Sequence, residues 1–174
     1  KEMQKPYKRL SREMLAKEVT TFTIPTTFGE DKKNIVISTH QKDKAEKEKL
    51  VKEAIKSHLN GNVKEAQKLY KYCLEKDIDD PKVFANYGLI LKDLGNLQEA
   101  EKLTRKAIEL DANFSNAYTN LGSILKDNGK LKEAETCHRK ALSLDPNSGH
   151  ANSNLGNILH DLGKSQEAKL HHLK

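Results

Sequence analysis

The sequence predicts an all-α solenoid of stacked antiparallel helix pairs. Two observations carry this reading. First, residues 81–114 and 115–148 are 34 residues each and align without a gap. A fixed period of this length marks stacked supersecondary units. Second, the columns that recur are small residues. Gly88 falls on Gly122, Gly95 on Gly129, Ala100 on Ala134 and Ala107 on Ala141. Gly156, Gly163 and Ala168 continue the register forward, and Gly61 and Ala66 continue it backward. The composition agrees. Of 174 residues, 36% are hydrophobic and 32% charged, lean for a globular core but ordinary where each unit touches only its neighbours.

Residues 1–44 do not share the repeat and form a separate, partly disordered segment in this reading. Tyr7, Leu10, Met14 and Leu15 stand at helical spacing, so Ser11–Val19 is expected to form a short amphipathic helix. Residues 20–43, which include the β-like run at 34–39, have no partner strands in view. They are expected to be irregular, with a solvated charge run leading into the repeats. Residues 45–174 are the repeat region, with units at 47–80, 81–114, 115–148 and 149–174.

The first unit is degenerate. Leu50, Val51, Ala54, Ile55 and Leu59 form one apolar stripe. Val63, Ala66, Leu69, Tyr70, Cys73 and Leu74 form the returning one. Glu53 and Ser57 replace apolar residues of the later units, as an outer capping repeat would. In the second unit, one helix spans about Lys82–Leu94 with Phe84, Tyr87, Gly88 and Leu91 as its core face. Gly95 turns the chain. A second helix spans about Leu97–Leu110, with Ala100, Leu103, Ala107, Ile108 and Leu110 inward. Small Gly88 and Ala100 permit close helix approach. In the third unit Pro146 stops helix propagation. The fourth unit ends inside its second helix. The expectation is a piece of a longer protein, with Leu155, Ile158, Leu170 and Leu173 left uncovered and self-association through that open end.

The spacing Tyr118-x-x-Leu121-Gly122-x-x-Leu125, followed by Ala134, Ala141 and Pro146, resembles the tetratricopeptide repeat. The resemblance covers residues 47–174. Thr104, His138 and His172 depart from it in a column that is usually aromatic. It implies a right-handed superhelix whose first helices line a concave groove that binds peptides.

The polar face of each first helix carries the functional reading. Lys82, Asn86, Leu89 and Asp93 share a face by their spacing. Asn116, Asn120, Ser123 and Asp127 follow, then His150, Asn154, Asn157 and Asp161. Two columns do not vary, Asn86/Asn120/Asn154 and Asp93/Asp127/Asp161. Lys92, Lys126 and His160 run beside the aspartates. An amide offers an acceptor and two donors, so a row of asparagines suits an extended backbone. The aspartates would select basic or hydroxyl groups. The competing structural roles are asparagines bracing the neighbouring pair and aspartates pairing with lysine.

The asparagine column is similar to the repeats of O-linked N-acetylglucosamine transferases and of bacterial proteins joining such repeats to a glycosyltransferase or sulfotransferase domain. That resemblance implies a substrate-recognition arm as the alternative function, with Asn86, Asn120 and Asn154 gripping a substrate peptide. The clamp of chaperone-binding repeats needs Lys and Arg where this chain has Val51, Ile55, Asn86, Asn116 and Asn120, so binding of a chaperone C-terminus is disfavoured.

Other chemistry is not expected. The net charge is +6, of which the repeat region carries +2, and no basic stripe runs through it. An RNA-binding helical repeat is therefore a remote alternative. The histidines form no His-x-x-x-His pair and the two cysteines lack ligand spacing, so neither metal nor cofactor is expected. No nucleophile is paired with a base. The covered chain is read as not an enzyme. Cys73 and Cys137 fall in columns of small or apolar residues and read as buried thiols. A reducing, cytoplasmic location fits them. No apolar run approaches membrane-span length.

Overall fold

The structure, a computed structural model, describes residues 39–172, with side chains from 43 to 171. Among the described residues there are eight helices and no strand: α1 (Thr39–Leu59), α2 (Val63–Glu75), α3 (Pro81–Asp93), α4 (Leu97–Leu110), α5 (Ser115–Asp127), α6 (Leu131–Leu144), α7 (Gly149–Asp161) and α8 (Ser165–His172). Lys47–Lys174 forms one compact unit. The proposed helix at Ser11–Val19 and most of the irregular stretch lie outside the described residues. Residues 39–43 correct that reading, because α1 already begins at Thr39. The run from Gln41 to Lys49 is made of Lys, Glu, Gln, Asp and one Ala, mostly strong helix formers, and carries neither Gly nor Pro.

Each helix pair is closed by the same turn. In the second unit the Gly95 N–H donates to the Lys92 carbonyl and the Asn96 N–H to the Leu91 carbonyl, both at 2.9 Å. Gly95 sits at φ +79°. This paired closure satisfies the last carbonyls of a helix and needs a left-handed residue, which glycine adopts without a Cβ penalty. The same bonds recur at Gly61, Gly129 and Gly163. Entry is also specified locally. The Asp80 side chain accepts from the Lys82 N–H with Pro81 in the first turn, and Asn96 accepts from the Glu99 N–H.

Packing follows the period. Val83 and Ile90 of α3 join Val51, Ala54, Ala66, Tyr70 and Cys73 in one core. Ala117 and Ile124, in the same columns, join the core around Phe84, Leu91, Ala100 and Ala107. Ile158 joins Leu121, Leu125 and Ala134. α3, α5 and α7 are thus each wedged between their own second helix and the preceding unit. A core face of only Phe84, Tyr87, Gly88 and Leu91 was too narrow, because it allowed for one neighbour. Ile108 is partly buried and packs against two of these cores, whereas Leu110 is exposed. Leu59, 83% exposed, and Val63 also fall outside the core. Conversely Leu155 and Ile158 are fully buried, Ile158 by the third unit and Leu155 beside Leu159 and Ala168. Leu170 is 63% exposed.

The expected close approach is present between α3 and α4 and between α5 and α6, and differs between the two. A Cβ added at Gly88 would stand 2.3 Å from Thr104 Oγ1 and 3.1 Å from the Ala100 carbonyl. At Gly122 it would stand 2.6–2.8 Å from three ring atoms of His138. Thr104 satisfies itself by donating to the Ala100 carbonyl at 2.8 Å. His138 is fully buried with neither ring nitrogen hydrogen-bonded.

Candidate functional site

The backbones of consecutive first helices run close together, α3 beside α5 and α5 beside α7, whereas those of α4 and α6 stand apart. The first helices therefore occupy the inner side of the curved array, and the second helices splay outward. The face of α3, α5 and α7 that carries the asparagines lies along this inner seam.

Each of the three asparagines reaches back to the preceding unit. Asn86 lies near the Tyr70 hydroxyl, close enough to lower its pKa. Asn120 Nδ2 donates to the Ala85 carbonyl at 3.2 Å. Asn154 Nδ2 donates to Ser123 Oγ at 3.2 Å, and that hydroxyl donates to the Thr119 carbonyl. All three are half-buried. Bracing and ligand contact are compatible here. A bond through one N–H fixes the orientation of the amide and leaves its carbonyl and second N–H able to take another partner.

The two charged columns meet at the ends of the first helices. Lys92 Nζ lies 3.0 Å from Asp93 and 3.7 Å from Asp127. Lys126 Nζ lies 3.9 Å from Asp161, and His160 lies 3.8 Å from the same aspartate. Lysine at a helix C-terminus also meets the negative end of the helix dipole. The aspartates are thus brought beside lysines of their own or the preceding unit.

Tyr70 of α2 is fully buried in the core of the first unit. It stacks on Tyr87 at 6.4 Å and lies edge-on to His58, with its hydroxyl 3.5 Å from His58 Nδ1. Burial pushes the phenol up to about 12, against the opposing effect of Asn86. Burial likewise pushes the Cys73 thiol up to about 11 and raises Cys137. Both cysteines are free thiols; Cys73 is buried and Cys137 half-buried. Raised thiols are poor nucleophiles. Among the described residues, no cluster of His, Cys, Asp or Glu has the arrangement to hold a metal ion. Nor is any described helix long and apolar enough to cross a membrane.

A second ladder, made of ion pairs, joins the second helices. Glu101 accepts from Arg105 of its own helix at 2.8 Å and from Lys130 of the next unit at 3.0 Å; Arg105 passes on to Glu133 at 3.4 Å. One unit later Glu135 receives Arg139 and Lys164, and Arg139 reaches Glu167. Burial pushes the Glu101 carboxyl up, but the hydrogen bonds and charges of Arg105 and Lys130 together outweigh it and hold the group below its ordinary range. Glu135 is lowered chiefly by Lys164. Long charged side chains therefore span the gap that the splayed second helices leave. The signal was present in the i, i+4 spacing of Glu101 with Arg105 and its copy at Glu135 and Arg139.

Family models described as tetratricopeptide repeat match residues 81–114, 115–148 and 139–169. No curated protein matches the chain in sequence. Among solved structures, the chain is similar to an O-GlcNAc transferase mutant from Thermobaculum terrenum, with 28% identity and a TM-score of 0.65 over 68% of this chain and 23% of that one. It is similar to the first repeat domain of Spaghetti (RPAP3) bound to the HSP90 peptide SRMEEVD, with 25% identity and a TM-score of 0.62 over 67% and 93%. MamA shares the fold, with 22% identity and a TM-score of 0.64 over 72% and 73%.

Proposed function

The chain belongs to the tetratricopeptide-repeat family, and from that premise we propose that it is a protein–protein interaction scaffold holding an extended peptide in the groove of its first helices. The carrying observation is the row Asn86, Asn120, Asn154. Asn120 and Asn154 are anchored to the preceding unit and still have hydrogen-bonding groups to offer, and Asn86 stands in the same column near the Tyr70 hydroxyl. Anchored amides lose little freedom on binding, which favours affinity. Backbone contacts tolerate varied ligand side chains.

The similarity to the RPAP3 domain supports peptide binding as a class. It does not extend to the acidic C-terminus named there, because Val51, Ile55, Asn116 and Asn120 supply no ammonium or guanidinium to meet a carboxylate. The similarity to the Thermobaculum terrenum enzyme favours a second reading, a substrate-recognition arm of a larger transferase. This chain spans about a quarter of that protein. Residues 1–44, as a separate segment, and self-association through the fourth unit remain parts of the proposal.

The test is a peptide-array screen of the purified chain beside the Asn86→Ala/Asn120→Ala/Asn154→Ala variant. Lost binding with unchanged helicity supports the groove. Equal binding by both proteins refutes it. Where the variant unfolds, Asn116→Trp and Asn157→Trp serve instead, since both sites are exposed on the same face and a bulky side chain there obstructs a ligand without touching the braces. A catalytic partner domain is tested separately, by asking whether array hits become glycosylated or sulfated when the full-length gene product is added.

A further inference from the structure

The inference rests on the groove reading and adds the chemistry of its ligand. We propose that the groove takes an extended peptide segment of no net charge. An apolar side chain seats against Ile55 and Leu89, and hydroxyl- or amide-bearing side chains follow along Ser123 and Asn157.

Three observations lead there. The first is that the charged columns are closed on each other. Lys92 lies between Asp93 and Asp127, and Lys126 approaches Asp161. A charged ligand group using one of these half-exposed aspartates displaces its lysine and trades one ion pair for another. Such pairs are each worth only about 0–1 kcal/mol, so the exchange gives little net affinity. The aspartates are therefore poor selectors of basic side chains.

The second observation concerns the rest of the face. Beyond those pairs it offers amides and hydroxyls, from Asn86, Asn120, Ser123, Asn154 and Asn157. The column that begins with exposed Lys82 continues as Asn116 and His150, so no row of like charge forms along the groove. Polar uncharged groups meet such a surface without leaving a buried charge unpaired.

The third observation sets direction. One column of the first helices reads Ile55, Leu89, Ser123, Asn157. Ile55 and Leu89 are half-buried, and Ile55 packs on the core of Val51, Ala54 and Tyr70. Ser123 already accepts from Asn154, and Asn157 is exposed. The groove is therefore apolar at its first two units and polar at its last two. A peptide matched to this gradient has one orientation.

The experiment is fluorescence anisotropy with three fluorescein-labelled peptides of equal length. Each carries two leucines at one end. The remaining positions are Ser, Thr, Asn and Gly in the neutral probe, with Lys or Glu replacing half of them in the others. The neutral probe is expected to bind tightest, and its Kd to change by less than about twofold between about 50 and 500 mM NaCl, since screening acts on charges. Leu89→Ser is expected to weaken it by about five- to tenfold, the loss of one apolar contact. A basic probe that binds tightest, weakens with salt and loses its advantage in Asp93→Asn/Asp127→Asn/Asp161→Asn overturns the inference and leaves the groove reading standing. Binding of none of the three probes overturns both. Leu89→Ser without effect overturns the assigned direction.

Discussion

Acidification is expected to destabilise the array through one residue, His138. The imidazole is fully buried against Gly122 with no hydrogen bond to either nitrogen. Burial, and then the Lys126 ammonium, push its pKa from 6.5 down to about 4. The unfolded chain therefore takes up this proton before the folded one does. Stability from this group is complete well above 6.5, and it is lost as the pH falls toward 4. Between pH 7.5 and 5.0, linkage with these two values gives a loss of about 2 kcal/mol. The window stays above the ordinary carboxylate range, so acid groups contribute little to it. The assay is urea denaturation followed by circular dichroism at both pH values, for the natural protein and for His138→Thr. Threonine is the residue of the preceding unit, where Thr104 bonds its own helix. The variant is expected to lose most of that 2 kcal/mol pH dependence, whatever its absolute stability. Equal pH dependence in the two proteins refutes the reasoning.

Three further outcomes follow from the packing and the ladders. Gly122→Ala and Gly88→Ala are each expected to cost about 1–3 kcal/mol by overpacking, seen as a lower urea midpoint; Gly88→Ala is the worse, since its Cβ also meets the Ala100 carbonyl. Gly95→Ala has open space but φ +79°, so about 1 kcal/mol of backbone strain is expected, with no change in the helix–helix contact. Glu101→Gln with Glu135→Gln is expected to cost about 1 kcal/mol per site at neutral pH. Because both carboxyls are held below 4.5, that stability is lost as acid protonates them, so the double variant should show a shallower decline in stability below pH 4.5. Small-angle scattering of the same variant should show a larger radius of gyration than the natural protein.

The fold was legible because its period is in the sequence. Gly95 and its copies mark the turns, and Ala100, Ala107, Ala134 and Ala141 mark the buried contacts, all fully buried in the structure. The breadth of the core was not legible. Val83 and Ile90 are buried by the preceding unit, and the amphipathic pattern of a single helix does not reveal a second neighbour. The asparagine and aspartate columns could be read as columns, but not their partners. Asn120 bonds a backbone carbonyl 35 residues away, and Lys92 pairs across to Asp127. Such bonds depend on the rise from one unit to the next, which residue types do not encode locally. His138 departs from its usually aromatic column, yet its nitrogens go unpartnered only because the fold packs the ring against Gly122, a contact the sequence does not reveal.

The most direct measurement is an NMR titration of the ¹⁵N-labelled chain with the tightest array peptide, following the side-chain NH2 signals. The expected result is shifts at Asn86, Asn120, Asn154 and Asn157, with the outer guanidinium signals of Arg105 and Arg139 unmoved. Shifts confined to Arg105, Arg139 and their neighbours on the second helices would place the ligand on the outer face and contradict the groove.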